Sequence, residues 1–180
     1  VMPRVGVGDK FLLMLPSVAS PVAAGLLACA SSLCFDFLGR QKVGGTSMKY
    51  FTMKQLVAIR PQAMESVPTW DRFAPSVGAW LLARVLELTY TAWDLALFAR
   101  DCGYDGPPFR WDEERRFRLR CELDAAFFHL YGIGRDDGDY ILGTFPIVRR
   151  HEEARWGEYR TKRVVLECYD ALAQAADTGV

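Results

Sequence analysis

Read as apolar and polar positions, the chain changes character near residue 62. Before that point short apolar runs alternate with loops. Phe11 to Leu15 (FLLML) is a continuous apolar run of strand length. From Val22 to Leu38 the residues Leu26, Ala30, Leu33, Cys34 and Phe37 recur at helical spacing on one face, with Pro21 at a first-turn position. Gly39 and the pair Gly44-Gly45 are read as ending that helix and opening a loop. Tyr50 to Ile59 then reads as a strand, closed by Pro61.

Gln62 to Pro75 is polar and proline-punctuated, and beyond it the pattern is helical. Ser76 to Arg100 is apolar over much of its circumference, which places it between other helices. CGYDGPPFR (Cys102 to Arg110) is a turn-rich connector. Asp112 is an N-cap, with Glu113 and Glu114 in the first turn where the helix dipole favours acids. That helix runs to Tyr131, with Gly132 as its C-cap. A short helix covers Arg135 to Leu142, and Pro146 is read as a stop. A last helix runs from Tyr159 to Ala176, with Val165, Leu166, Tyr169, Leu172 and Ala173 inward. The pattern predicts an α+β fold, predominantly α: a small α/β piece over residues 1–62, a linker over 63–75 and a helical module over 76–180.

Composition narrows the function classes. The 180 residues suffice for one ordinary domain or two small ones. Formal net charge is zero, which argues against a protein that coats nucleic acid through overall basicity and leaves room for a local basic face. Cys29, Cys34, Cys102, Cys121 and Cys168 are odd in number and form no C-x-x-C pair. They read as buried, reduced thiols of a cytoplasmic protein, not as a disulfide framework or a zinc site. Phe11 to Phe35 is uncharged, but its continuous helical part after Pro21 falls short of the ~20 residues that cross a bilayer, so no membrane partner is expected. The chain opens on Val1, which allows it to be a piece of a longer protein.

Charge distribution adds a candidate site. Phe37 to Met64 holds no acidic residue, yet contains Arg40, Lys42, Lys49, Lys54 and Arg60. Gly44 and Gly45 would let backbone amides approach a phosphate closely. Thr46 and Ser47 add hydroxyl donors, and Tyr50 adds a ring that can stack or donate. That is a donor set suited to a nucleic-acid backbone. The same residues also suit a solvated loop whose lysines guard a strand edge. A second basic cluster, Arg149, Arg150, Arg155, Arg160, Lys162 and Arg163, is interleaved with Glu152, Glu153 and Glu158. It reads as an ion-paired face, with Glu158 and Lys162 at i, i+4 spacing.

No catalytic motif is found. Asp105-Gly106-Pro107-Pro108-Phe109 has the outline of the short loop that amino-methylating enzymes use on a flipped base, but glycine stands where the acceptor side chain belongs. Val5-Gly6-Val7-Gly8 lacks the third glycine and the strand–helix context of a cofactor loop. His129, in AAFFHLYG, reads as a packed or capping histidine. Asp136, Asp137 and Asp139 read as helix-start acids and lack the spacing of a calcium loop.

Four separated stretches together resemble one family. They are FDFLGRQKVGGTSMKYFTMKQL (Phe35–Leu56), PPFRWDEERRFRLRCELDAAFFHLYGI (Pro107–Ile133), DYILGTFPIVRRHEEARWGEYRTKR (Asp139–Arg163) and VVLECYDAL (Val164–Leu172). In this order they are similar to the C-terminal region of large adenine-specific DNA methyltransferases, including single-chain restriction–modification enzymes and methylases of phage-defence systems. The resemblance implies a parent chain that transfers a methyl group from S-adenosylmethionine to the exocyclic amine of adenine in double-stranded DNA. It implies a catalytic and cofactor-binding domain upstream, and here the end of a target-recognition domain with a helical tail. Arg40 to Thr46 and the segment after them would belong to the recognition region. The chain departs from the family at Gln55-Leu56-Val57-Ala58, where Gln-Leu-Pro-Val is usual.

Two functional readings follow. In one, the chain is a DNA-recognition and scaffold fragment, with Arg40, Lys42, Gly44, Gly45, Thr46, Ser47, Lys49, Tyr50 and Lys54 facing DNA. In the other, the helical part is an interaction module that docks on the upstream methylase domain or a partner subunit through Trp80, Leu86, Trp93 and Phe98.

Overall fold

The computed structural model describes residues 1–2, 13–45 and 48–178. Among these, every regular element is helical: α1 (Ser20–Ala30), α2 (Leu33–Lys42), α3 (Tyr50–Met53), α4 (Pro61–Glu65), α5 (Val77–Thr89), a 3-10 turn (Trp93–Leu95), α6 (Ala96–Asp101), α7 (Glu113–Leu130), α8 (Arg135–Gly143), α9 (Pro146–Trp156) and α10 (Arg160–Thr178). The predominantly α character expected from the pattern holds, and the α/β piece does not.

The first expected helix is two helices. Ser32 interrupts it by local hydrogen bonding: its hydroxyl donates to the Cys29 carbonyl at 2.8 Å and accepts from the Phe35 N–H at 3.2 Å. A side chain that serves both the end of one helix and the start of the next competes with a continuous ladder. The axes of α1 and α2 differ by 66°. Helix α1 buries Ala24, Gly25, Ala28 and Cys29, a face of small residues that lets α5 come close, while Leu26 is only half-buried. Helix α2 continues through Gly39 to Lys42. Among the described residues no single helix is long and apolar enough to cross a membrane; α1 and α2 reach that length and composition only as a bent pair.

The expected strand over Tyr50 to Ile59 is replaced by the single turn α3 and irregular chain. Its alternation of apolar and polar residues has no partner strand among the described residues, and an unpaired strand leaves its backbone groups unmet. Phe51 and Val57 are exposed while Thr52 is buried, so the alternation does not define a buried face. Leu13 to Leu15, the described part of the other expected strand, has no regular structure; Phe11 and Leu12 lie outside the described residues.

The long helix expected from Ser76 to Arg100 ends at Thr89. Ser76 caps its start by accepting from the Ala79 N–H. At its end Tyr90 leaves helical geometry, is almost fully buried, and accepts the Phe109 N–H through its carbonyl at 2.8 Å. The returning Tyr104–Phe109 segment therefore takes the carbonyl that the next helical turn would have used. Pro146, read as a stop, sits in the first turn of α9, where a missing N–H costs nothing.

The caps of α7 are as expected. Asp112 accepts from the Arg115 N–H at 2.8 Å. At the other end Gly132 has φ +67°, its N–H donates to the His129 carbonyl, and the Ile133 N–H donates to the Phe128 carbonyl. That is the paired arrangement of a Schellman motif.

Helix α7 is the common wall of two cores. One packs Phe127 and Leu123 with Ala24, Ala28, Phe35, Trp80 and Leu81 of α1, α2 and α5. The other packs Phe128 and Ala125 with Ile141, Leu142, Phe145 and Val165 of the α8–α10 layer. Segment 63–75 contributes to the first: Trp70 is buried edge-on to Trp80, ring centroids 5.7 Å apart.

Candidate functional site

The acid-free stretch forms a lobe at the C-terminal end of α2. Met48 and Leu56 lie beside Gly39, so the chain around α3 folds back on the last turns of α2. Arg40 and Lys42 occupy that last turn, where the helix dipole favours cations. Lys49 is the N-cap residue of α3 and Lys54 its C-cap residue. Lys42, Lys49 and Lys54 are exposed and have no ion-pair partner among the described residues.

Arg40 is placed differently from its neighbours. Its guanidinium donates to the Thr144 carbonyl at 2.9 Å, lies 3.9 Å from the Phe145 ring centroid, and pairs with Asp36 at 3.4 Å. It ties the end of α2 to the α8–α9 junction. Tyr50 donates its hydroxyl to the Leu13 carbonyl at 3.0 Å, leaving the ring half-exposed. Gly44 and Gly45 are exposed, with open space where a Cβ would be. Thr46 and Ser47 lie outside the described residues.

The second basic cluster is mostly paired. Arg149 meets Glu153, Arg160 meets Glu114, and Arg163 meets both Glu158 and Glu167. The expected Glu158–Lys162 pair is not formed: Lys162 reaches Asp139 at 2.8 Å, across to α8. Arg150 and Arg155 have no acidic partner among the described residues.

The other sequence motifs have structural roles. Phe109 of the DGPPF loop stacks on Tyr104, and Tyr104 donates to the Pro107 carbonyl, so this loop is folded on itself. His129 stacks on Tyr169 at 4.0 Å and bonds its carbonyl. Asp136 and Asp137 are in the first turn of α8. All five cysteines are free; burial pushes the Cys34 thiol up to about 12 and Cys102 up to about 11, and raises Cys121 and Cys168 as well. Such thiols stay protonated and are poor nucleophiles. No group of three or more potential metal ligands occurs among the described residues.

Asp124 was not singled out by sequence reasoning. It is buried on α7 and accepts the Leu33 N–H at 2.7 Å, at the start of α2. Burial pushes its carboxyl up to about 7, against the opposing influence of the Leu33 bond and the Arg120 charge. The only hint was an acid embedded in the run LDAAFF. It lines a cavity of about 550 Å³ between α1, α2, α5, α7 and α9.

Comparison of the chain with protein families, with characterised proteins and with solved structures finds no match.

Proposed function

We propose that this chain is the DNA-recognition and scaffold part of an adenine-specific DNA methyltransferase of a restriction–modification or phage-defence system. In this reading it lies against double-stranded DNA in the cytoplasm. Methyl transfer from S-adenosylmethionine belongs to an upstream methylase domain. The chain supplies positioning, and none of its residues is assigned a catalytic step.

The observation that carries the proposal is the lobe at the end of α2. Three lysines, Lys42, Lys49 and Lys54, stand exposed and unpaired among the described residues, within a stretch that lacks any acid. A neutral protein that segregates charge in this way presents a local anion-binding face. The four stretches that resemble the family point to DNA as the anion. Within the proposal Arg40 anchors the lobe, and Gly44, Gly45 and Tyr50 offer open backbone and a half-exposed ring beside the cations.

The docking-module alternative is weakened by burial. Trp80 and Leu86 are used in the chain's own cores and Phe98 is half-buried; of the four residues named for it only Trp93 is exposed.

The test is duplex binding by the full chain over a range of salt concentrations. Each phosphate contact contributes about 0.9 to the slope of log affinity against log salt. Replacing Lys42, Lys49 and Lys54 together by Ala is expected to reduce the slope by about two to three units, while Lys162→Ala leaves it unchanged. An unchanged slope in the triple variant contradicts the assignment.

A further inference from the structure

The rings beside the lysine lobe are a separate feature from its cations. Tyr50 and Phe51 are neighbours in α3, and both are exposed, Phe51 to 63%. Phe51 belongs to none of the chain's buried clusters. Tyr50 is fixed at its far end, where the hydroxyl donates to the Leu13 carbonyl at 3.0 Å, so the ring is held in place while half of it faces out. Successive residues on a helical turn point about 100° apart, so the two rings offer separate faces and not one clamp. Lys54 follows Tyr50 by one turn, with its N–H bonded to the Tyr50 carbonyl at 3.0 Å, which puts an exposed cation on the Tyr50 side.

Their electrostatic surroundings set these two rings apart. The other exposed aromatic side chains among the described residues are Phe73, Trp93, Trp111, Tyr140 and Trp156, and each has an acid within two positions in sequence. For Tyr50 and Phe51 the nearest acids in sequence are Asp36 and Glu65, and Asp36 is paired with Arg40 at 3.4 Å. A carboxylate beside a ring repels a phosphate, whereas lysines beside a ring attract one. A nucleotide carries both parts, an aromatic base and an anionic phosphate. Surfaces that bind unpaired strands combine cations for the backbone with aromatic rings for the bases. In a continuous duplex each base face is covered by its neighbour. The lysines would meet phosphates there, but the rings would find no base face to stack on.

We propose that the lobe binds DNA at unpaired bases, with the Tyr50 and Phe51 rings stacking on base faces and Lys49 and Lys54 holding the flanking phosphates. The proposal rests on the DNA-facing reading of the lobe and adds to it the state of the strand that is bound. Every base has a π face, so stacking of this kind senses strand opening and not sequence.

The experiment is fluorescence-anisotropy titration of the full chain with a labelled DNA duplex and with the same duplex carrying a central run of unpaired thymines. The opened duplex is expected to bind more tightly by about fivefold or more. Phe51→Ala is expected to weaken the opened duplex by about fivefold and to leave the continuous one unchanged. Phe51→Leu, apolar but without a ring, should behave like Phe51→Ala, and Phe51→Trp should retain the preference. Phe51 is exposed, so these variants keep the fold, and none removes a phosphate contact, so the salt slope stays as in the parent chain. The proposal is overturned if the two DNAs bind equally tightly, or if Phe51→Ala or Phe51→Leu binds the opened duplex like the parent chain. In those cases a reduced salt slope on the continuous duplex in the triple lysine variant would still uphold the DNA-facing reading. If the parent chain binds neither DNA, both fall.

Discussion

At the scale of single residues, Asp124 has the most distinctive environment. Its carboxyl is raised from 3.8 to about 7, chiefly by burial. An acid raised in the folded state binds its proton more tightly there than in the unfolded chain. Stability from this group is therefore fully present below about pH 4, declines as pH rises to about 7, and is level above that. Asn in its place keeps an acceptor for the Leu33 N–H and removes the ionisation. Urea unfolding of the parent chain and Asp124→Asn between pH 4 and 8 is expected to show the variant gaining on the parent by roughly 1.4 kcal/mol per pH unit up to about pH 7. A pH-independent difference would contradict the buried-acid assignment. This environment was not legible in the sequence, because it depends on where the start of α2 lands against α7, and no local pattern encodes that. Arg40 illustrates the same limit. As a cation in an acid-free run it reads as a DNA contact, but its partners Thr144 and Phe145 are over a hundred positions away.

Elements were legible where their ends are locally determined. Asp112 and Gly132 mark α7 because a carboxylate cap and a left-handed C-terminal glycine act within a few residues of themselves. Elements were misread where a distant segment intervenes. The Phe109 N–H ends the α5 run at Tyr90, and the strand read over Tyr50–Ile59 has, among the described residues, no partner of the kind on which strand structure depends. Close packing at α1 gives the prediction for this scale. A side chain at Gly25 would run into the end of the buried Met64 side chain of α4. Gly25→Val is expected to cost about 1–3 kcal/mol by overpacking. Met64→Ala in the same chain should recover part of that, so that the double variant is less destabilised than the sum of the two singles. Strict additivity in thermal or chemical unfolding would show that Met64 is not what Gly25 accommodates.

For the whole molecule the governing fact is that α7 serves both cores through adjacent residues. Phe127 faces the α1–α5 side and Phe128 the α8–α10 side, both fully buried. Truncation of either to Ala is expected to cost about 3–5 kcal/mol. Because one helix joins the two cores, each variant should still unfold in a single calorimetric transition, shifted down in temperature. Two separated transitions would show that the halves fold independently.

The DNA-facing function proposed above rests on the lysine lobe. Its acid-free composition was legible from residues alone, whereas the outward placement of Lys42, Lys49 and Lys54 needed Met48 and Leu56 to fold the chain back on Gly39. The most direct measurement is lysine acetylation footprinting of the full chain, with and without a DNA duplex, read by mass spectrometry. Lys162, paired with Asp139, is the internal control. Duplex DNA is expected to protect Lys42, Lys49 and Lys54 and to leave Lys162 unchanged. Equal reactivity of the three lysines with and without DNA, under conditions where the duplex is bound, would contradict it.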